Sequence, residues 1–177
     1  FPSVGFTEAL KFETALRRID VIGDYVPNED GGPFTWVGLT AEKISPDLVL
    51  TITTGKTGTP TAHDLKVLPL VSEALKAYQL PKDGPVVICE TTGRPYWANR
   101  YYYKFCEIRD AAGVPAHIWS MDTRAGAVTE ALEATGSLEK AQKLATHSSP
   151  KMTLKYARGI DLARNRKTAK ARAKLRG

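Results

Sequence analysis

The sequence predicts an α+β fold that is mainly helical and includes a small three-stranded antiparallel sheet. Three observations indicate it. The 177 residues are the size of one domain, and 42% apolar with 25% charged residues is a globular composition that needs no metal or disulfide to fold. Short β-branched and aromatic runs lie between residues 34 and 68, separated by turn residues. Apolar residues recur at helical spacing in most segments after residue 69.

The first predicted element is a helix over residues 7–22. Apolar residues such as Leu10 and Leu16 fall on one side of this segment. Gly23 ends it, and the sequence Asn-Glu-Asp-Gly-Gly-Pro at 28–33 indicates a loop.

Three strands are predicted next, over residues 34–39, 48–54 and 61–68. The sequence Gly-Lys-Thr-Gly-Thr-Pro at 55–60 is a tight turn between the second and third of them. Because strands joined by a short turn pair antiparallel, these segments predict a small antiparallel sheet.

The rest of the chain is predicted to be mostly helical. Glycine and proline residues interrupt the apolar periodicity and mark where each helix begins or ends. The predicted helices cover residues 69–78, 98–112, 121–134, 137–145, a segment that begins at Pro150, and 160–176.

The charge is unevenly distributed along the chain. The net charge is +6, yet residues 151–177 hold ten basic residues and one acidic residue, which gives that segment +9. The other 150 residues hold 15 basic and 18 acidic residues, a net charge of −3. A cationic C-terminal segment favours a polyanionic partner, with nucleic acid first, although a solubilising tail fits the composition equally well.

Several classes of protein are disfavoured. No run of about 18 apolar residues predicts a membrane helix, and the first residues lack the pattern of a signal peptide. Two cysteines fit a reducing compartment, so a cytoplasmic protein is expected. Phosphate-binding and dinucleotide glycine motifs are missing, and the three histidines lack metal-ligand spacing. We therefore expect no cofactor and no metal.

One stretch resembles a known catalytic motif. The sequence His-Ser-Ser-Pro-Lys-Met-Thr-Leu-Lys-Tyr at 147–156 resembles the last box of the tyrosine recombinases, or phage integrases. In that family a histidine or tryptophan lies nine positions before the nucleophilic tyrosine, as His147 does before Tyr156. Taken alone, a tyrosine near the end of a helix is more often a packing residue.

Three further sequence motifs of the family occur earlier in the chain, in the order in which the family has them. Residues 14–20, Thr-Ala-Leu-Arg-Arg-Ile-Asp, resemble the first arginine box, which assigns Arg17 to the phosphate and Asp20 as its acidic neighbour. Lys-Thr-Gly at 56–58 resembles the turn of the catalytic lysine, Lys56. Met-Asp-Thr-Arg at 121–124 resembles the His-x-x-Arg box. Each residue singly fits an ordinary structural role, and the ordered set favours the catalytic one.

The resemblance implies DNA cleavage and religation through a 3′-phosphotyrosyl intermediate. Tyr156 would attack the phosphodiester, and Arg17 with Arg124 would bind the phosphate through charged guanidinium groups. Lys56 would protonate the leaving 5′-oxygen, and His147 would donate a hydrogen bond to the phosphate. The family reaction needs no metal.

The main departure from the family pattern is Met121, which stands where a histidine is usual and cannot carry a proton. Either the site tolerates this loss, or Ser120 or His117 substitutes, or activity is weak. Smaller departures replace two glycines that are common in the family, by Ala15 and by Thr146.

The expected organisation is a catalytic domain over 1–158 and a basic helix or tail over 159–177, with the family's N-terminal core-binding domain absent. The resemblance implies site-specific recombination, integration or excision, on double-stranded DNA, and a bacterial or phage origin. It implies a homo-tetramer on DNA, with a monomer allowed for an isolated domain. Three alternatives remain open: a type IB topoisomerase-like enzyme, a catalytically impaired DNA-binding remnant, and a protein-interaction domain with a basic tail.

Overall fold

The N-terminal segment forms two helices where one was predicted. The computed structural model describes residues 1–156 and 161–176. Helix α1 covers Pro2–Thr14 and α2 covers Arg18–Ile22, so the predicted single helix over 7–22 is wrong. Ala15 ends α1 in the left-handed conformation, with φ of 51°. The apolar periodicity continues past this break because Leu16 is buried too, so the break left no trace in the pattern.

Four short strands form two separate sheets. Strand β1, Asp24–Val26, pairs antiparallel with β2, Thr35–Val37. Strand β3, Val49–Thr53, pairs antiparallel with β4, Pro60–Asp64. Each sheet has two strands, so the predicted three-stranded sheet is wrong, although its antiparallel pairing of 48–54 with 61–68 is confirmed. The first sheet depends on β1, which at three residues is too short to show an alternating pattern.

The third predicted strand also ends early, because a 3-10 turn follows Asp64 over Leu65–Val67. The predicted helices that follow are confirmed, with the first of them four residues shorter than expected. They are α3 at Pro69–Ala74, α4 at Ala98–Ala111, α5 at Asp122–Thr135, α6 at Leu138–Leu144, α7 at Pro150–Leu154 and α8 at Asp161–Arg176. Ile160, the expected start of the last helix, and the expected boundary at 158/159 lie outside the described residues.

Two apolar clusters hold these elements together. The larger cluster contains buried residues of α1, α2, β3, α3 and α4, among them Phe6, Leu50 and Tyr101. The smaller one lies between α5 and α6 and includes Ala15 from the α1–α2 break. Tyr156 is half-buried and packs against this smaller cluster. Because α1 packs on both α3 and α5, the α1–α2 break lies where the two clusters meet.

Among the helices of residues 1–156 and 161–176, none combines the length and the hydropathy needed to cross a bilayer.

Candidate functional site

The α1–α2 break places Arg17 and Asp20 beside the β3–β4 turn. Arg17 is the N-cap of α2, and its backbone N–H donates to Asp20 Oδ2 at 3.3 Å. The other carboxylate oxygen, Oδ1, accepts from Gly55 N at 2.8 Å. Asp20 is buried, and its carboxylate therefore joins the start of α2 to the turn that carries Lys56.

The β3–β4 turn is itself well ordered by threonines. Thr54 N donates to the carbonyl of Thr59 at 3.0 Å, and the hydroxyls of Thr54 and Thr57 lie 2.7 Å apart. Lys56 projects from this turn and is exposed, with no hydrogen bond or ion pair to a described residue. The turn is thus anchored at Gly55 while the amine one residue later remains available.

Arg124 lies in the first turn of α5 and connects three segments of the chain. Its Nη1 donates to the carbonyl of Ala15 at the end of α1, and its Nη2 donates to the carbonyl of Ala145 after α6. The residue is buried. Burial and the nearby charge of Arg17 lower the pKa of Arg124 to about 10, against opposite effects from Tyr156 and Asp20.

His147 and Tyr156 lie together at the same place. Their rings stack with centroids 5.4 Å apart and an angle of 14° between the planes. His147 is buried, and its Nδ1 lies 3.0 Å from Thr153 Oγ1. Burial, followed by the charges of Arg124 and Arg17, lowers the pKa of His147 to about 4. The ring is therefore neutral at pH 7.

The site has an uncompensated donor. In the described part of the chain, Arg17 Nη1 is a buried atom without a hydrogen-bond partner, because Asp20 Oδ2 lies 4.0 Å from it. The charge of Arg17 contributes to lowering the pKa of Arg124, and the carboxylate of Asp20, 4.0 Å from Arg17 Nη1, acts in the opposite direction. Two arginines against one carboxylate give a positive pocket suited to an anion.

The structure therefore brings together Arg17, Asp20, Arg124, His147 and Tyr156, and places Lys56 on the adjoining turn. Met121 is different: its side chain is 80% exposed at the start of α5. Ser120 and His117 were the two candidates to replace the missing histidine. Ser120 donates its hydroxyl hydrogen to Glu8 Oε1 at 2.6 Å. His117 is exposed. Neither joins the cluster around Arg124.

Two residues that support His147 were not predicted. Gln142 Nε2 donates to the carbonyl of His147 at 3.0 Å, and His147 N donates to the carbonyl of Gln142 at 3.1 Å. Thr153 contacts the ring itself. Its position three residues before Tyr156 was a usable signal, since residues three apart share a helix face.

Within residues 1–156 and 161–176, no group of three His, Cys, Asp or Glu side chains could hold a metal ion.

Comparisons with known proteins identify the fold. No protein-family model matches the chain, and no curated protein sequence matches it. Solved structures do. A lambda integrase dimer bound to a COC′ core site is 18% identical over 87% of this chain and 41% of the integrase chain, with a TM-score of 0.61.

Two further structures have the same fold. The Tn1549 transposon integrase in complex with transposon right end DNA is 14% identical over 95% of this chain and 58% of its own, with a TM-score of 0.61. The XerH site-specific recombinase bound to a palindromic difH substrate is 14% identical over 96% and 45%, with a TM-score of 0.55. The chain spans about half the length of these proteins. It has their fold, and the expected α+β class is confirmed.

Proposed function

We propose that this chain cleaves and rejoins double-stranded DNA in site-specific recombination, with Tyr156 as the nucleophile. The observation that carries the proposal is the convergence of Arg17, Arg124, His147 and Tyr156, which are widely separated in the sequence. The solved structures of the same fold support it, because they are integrases and a recombinase bound to DNA. A tetramer on DNA is proposed by the same analogy, since one of them is a lambda integrase tetramer on a Holliday junction.

The phosphate would bind between the two arginines. Arg17 Nη1 is buried without an acceptor, and a non-bridging phosphate oxygen supplies one. Arg124 is held at Nη1 and Nη2 by two carbonyls, and each of these nitrogens carries a second hydrogen. Fixed donors of this kind stabilise charge that develops in the transition state, and losing one commonly costs about 3 kcal/mol.

The covalent step then proceeds as follows. The Tyr156 oxygen forms a bond to phosphorus and gives up its phenolic proton to solvent water, while the bond from phosphorus to the 5′-oxygen breaks. Lys56 gives a proton to that oxygen, which leaves as a 5′-hydroxyl. The phosphotyrosine bond conserves the energy of the phosphodiester. Religation reverses the step when another 5′-hydroxyl attacks.

The positions of the groups fit these roles. The Tyr156 ring stacks on His147, so the phenol lies next to a side chain assigned to the phosphate. Lys56 has no competing partner among the described residues, and its turn is fixed through Asp20 to the backbone of Arg17. A proton donor on an anchored turn is therefore adjacent to the phosphate-binding arginine.

The test is trapping of the covalent intermediate. The substrate is a pool of nicked duplexes with a randomised core, in which the cleaved fragment diffuses away. Wild type should form a protein–DNA adduct on a denaturing gel, and Tyr156→Phe should form none. The matched control is Tyr103→Phe, which alters an exposed tyrosine of α4. An adduct that persists in Tyr156→Phe would refute the nucleophile, and its absence in wild type would refute the reaction.

A further inference from the structure

The function of His147 depends on which of its two ring nitrogens carries the hydrogen. The ring is neutral, because burial and the charges of Arg124 and Arg17 lower its pKa to about 4. A neutral imidazole carries one N–H, on Nδ1 or on Nε2. Phosphate oxygens in DNA are acceptors only. The ring can therefore donate to a phosphate only if the nitrogen that reaches the phosphate is the one that carries the hydrogen.

Thr153 occupies one side of the ring. Its Oγ1 lies 3.0 Å from Nδ1, and Thr153 is fully buried. Nε2 has no hydrogen-bond partner among residues 1–156 and 161–176, and it is not enclosed in the way that Arg17 Nη1 is. Nε2 is thus the nitrogen left to contact a ligand.

The two possible tautomers differ in what they leave unpaired. If Nδ1 carried the hydrogen, it would donate to Oγ1, and the buried hydroxyl hydrogen would have no acceptor among the described residues. If Nε2 carries it, the Thr153 hydroxyl donates to Nδ1 and both groups are paired. Buried polar hydrogens are very rarely left without an acceptor, so the second arrangement is favoured.

We propose that Thr153 is a positioning residue that holds His147 as the Nε2–H tautomer, with that hydrogen available to a non-bridging oxygen of the scissile phosphate. Thr153 lies on the short α7, and Tyr156 follows just after the end of that helix, with its N–H donating to the carbonyl of Thr153 at 3.0 Å. One short segment therefore sets both the tautomer and the position of the nucleophile. The charged or titratable groups that face the ring are Arg124, Arg17 and Tyr156. The phosphate part of this inference rests on the proposed function, and the tautomer does not.

The first measurement needs no DNA. Long-range 15N–1H spectra of histidine-labelled protein at pH 7 should show a protonated Nε2 and an unprotonated Nδ1 for His147, identified by its loss in His147→Gln. Thr153→Val should show a measurable Nδ1–H fraction, and Thr153→Ser should restore the wild-type pattern. An Nδ1–H ring in wild type would overturn the proposal, even if the valine variant fails to fold.

The second measurement is the rate of adduct formation on the nicked duplex. Thr153→Val should lower it by roughly tenfold, the size expected for one lost hydrogen bond, with unchanged DNA affinity. Thr153→Ser should recover it. Thr7→Val makes the same change at a buried threonine that donates to the carbonyl of Ser3, and it should leave the rate and the His147 signals unaltered.

The outcomes separate the two proposals. No adduct with wild type refutes the recombinase function, while the spectra still decide the tautomer. An adduct that forms as fast in Thr153→Val as in wild type refutes the role of Thr153 and leaves the function standing.

Discussion

Replacing Thr146 by glycine should stabilise the protein. Thr146 has φ of 49°, in the left-handed region that β-branched residues almost never adopt. Its hydroxyl is buried and finds no partner among the described residues. Both features cost free energy in the folded state, and glycine removes both. The residue lies between Ala145, which accepts from Arg124, and His147, so the strain is stored within the candidate site.

The magnitude follows from four contributions. Relief of the backbone strain should contribute about 2 kcal/mol, and removal of the unpaired hydroxyl about 1.5 kcal/mol. Against these, glycine costs about 1 kcal/mol in chain entropy, and loss of the buried Cβ and Cγ2 about 1.5 kcal/mol. The balance is a gain of about 1 kcal/mol, which raises the melting temperature by roughly 2–4 °C for a chain of this size.

Urea unfolding followed by circular dichroism would measure this gain. Thr146→Ala is the matched control, because it removes the hydroxyl but keeps the Cβ that makes positive φ costly. We expect glycine to be more stable than alanine by about 1 kcal/mol. If alanine is as stable as glycine, or if glycine is less stable than threonine, the strain does not exist and the reasoning fails.

Four other predictions follow from the site and the basic helix. Lys56→Ala should slow adduct formation by roughly a hundredfold or more. A substrate with sulfur at the 5′-bridging position should restore the rate, because a thiolate leaves without a proton. An equal loss of rate on both substrates would exclude Lys56 as the proton donor. Asp20→Asn should lower the free energy of unfolding by roughly 1–3 kcal/mol in urea titrations, since two backbone N–H groups lose a charged acceptor. The pKa of His147 falls from 6.5 to about 4 on folding, so the unfolded chain binds more protons between these values. Stability should therefore decline as pH falls from about 6.5 to 4, and His147→Gln should flatten that part of the urea-midpoint curve. Finally, the double variant Lys170→Gln/Lys174→Gln should reduce the slope of log affinity against log salt by about 0.9 for each DNA phosphate that these lysines neutralise. An unchanged slope would show that neither lysine binds a phosphate.

The elements that the sequence predicted well are those with a long periodic pattern. The helices that became α4, α5 and α8 each run for 14 to 16 residues, long enough for apolar or charged spacing to define them. The elements it missed are short or set by distant contacts. Strand β1 has three residues, and the break at Ala15 is tied to a hydrogen bond from Arg124, which lies far along the chain.

The candidate site was predicted from the order of the motifs, and the structure adds the backbone conformations and side-chain contacts of these residues. The two positions where the resembling family commonly has glycine, Ala15 and Thr146, are both left-handed here, so departures that look minor in sequence carry a backbone cost. The role of Met121 stays a prediction. Thr153 was within the quoted motif, yet only its distance from the His147 ring reveals a contact.

The way in which Arg124 is held has one more consequence. Its partners are two main-chain carbonyls, which are dipoles without net charge, whereas a carboxylate partner would neutralise it. The guanidinium of Arg124 is thus held in a fixed orientation while its positive charge is not neutralised by these partners. Arg17 does have a carboxylate nearby, that of Asp20 at 4.0 Å, but this carboxylate also accepts from two backbone N–H groups. The site therefore has a positive electrostatic potential, which is unfavourable because the two guanidinium groups repel each other. A bound phosphate would neutralise this potential.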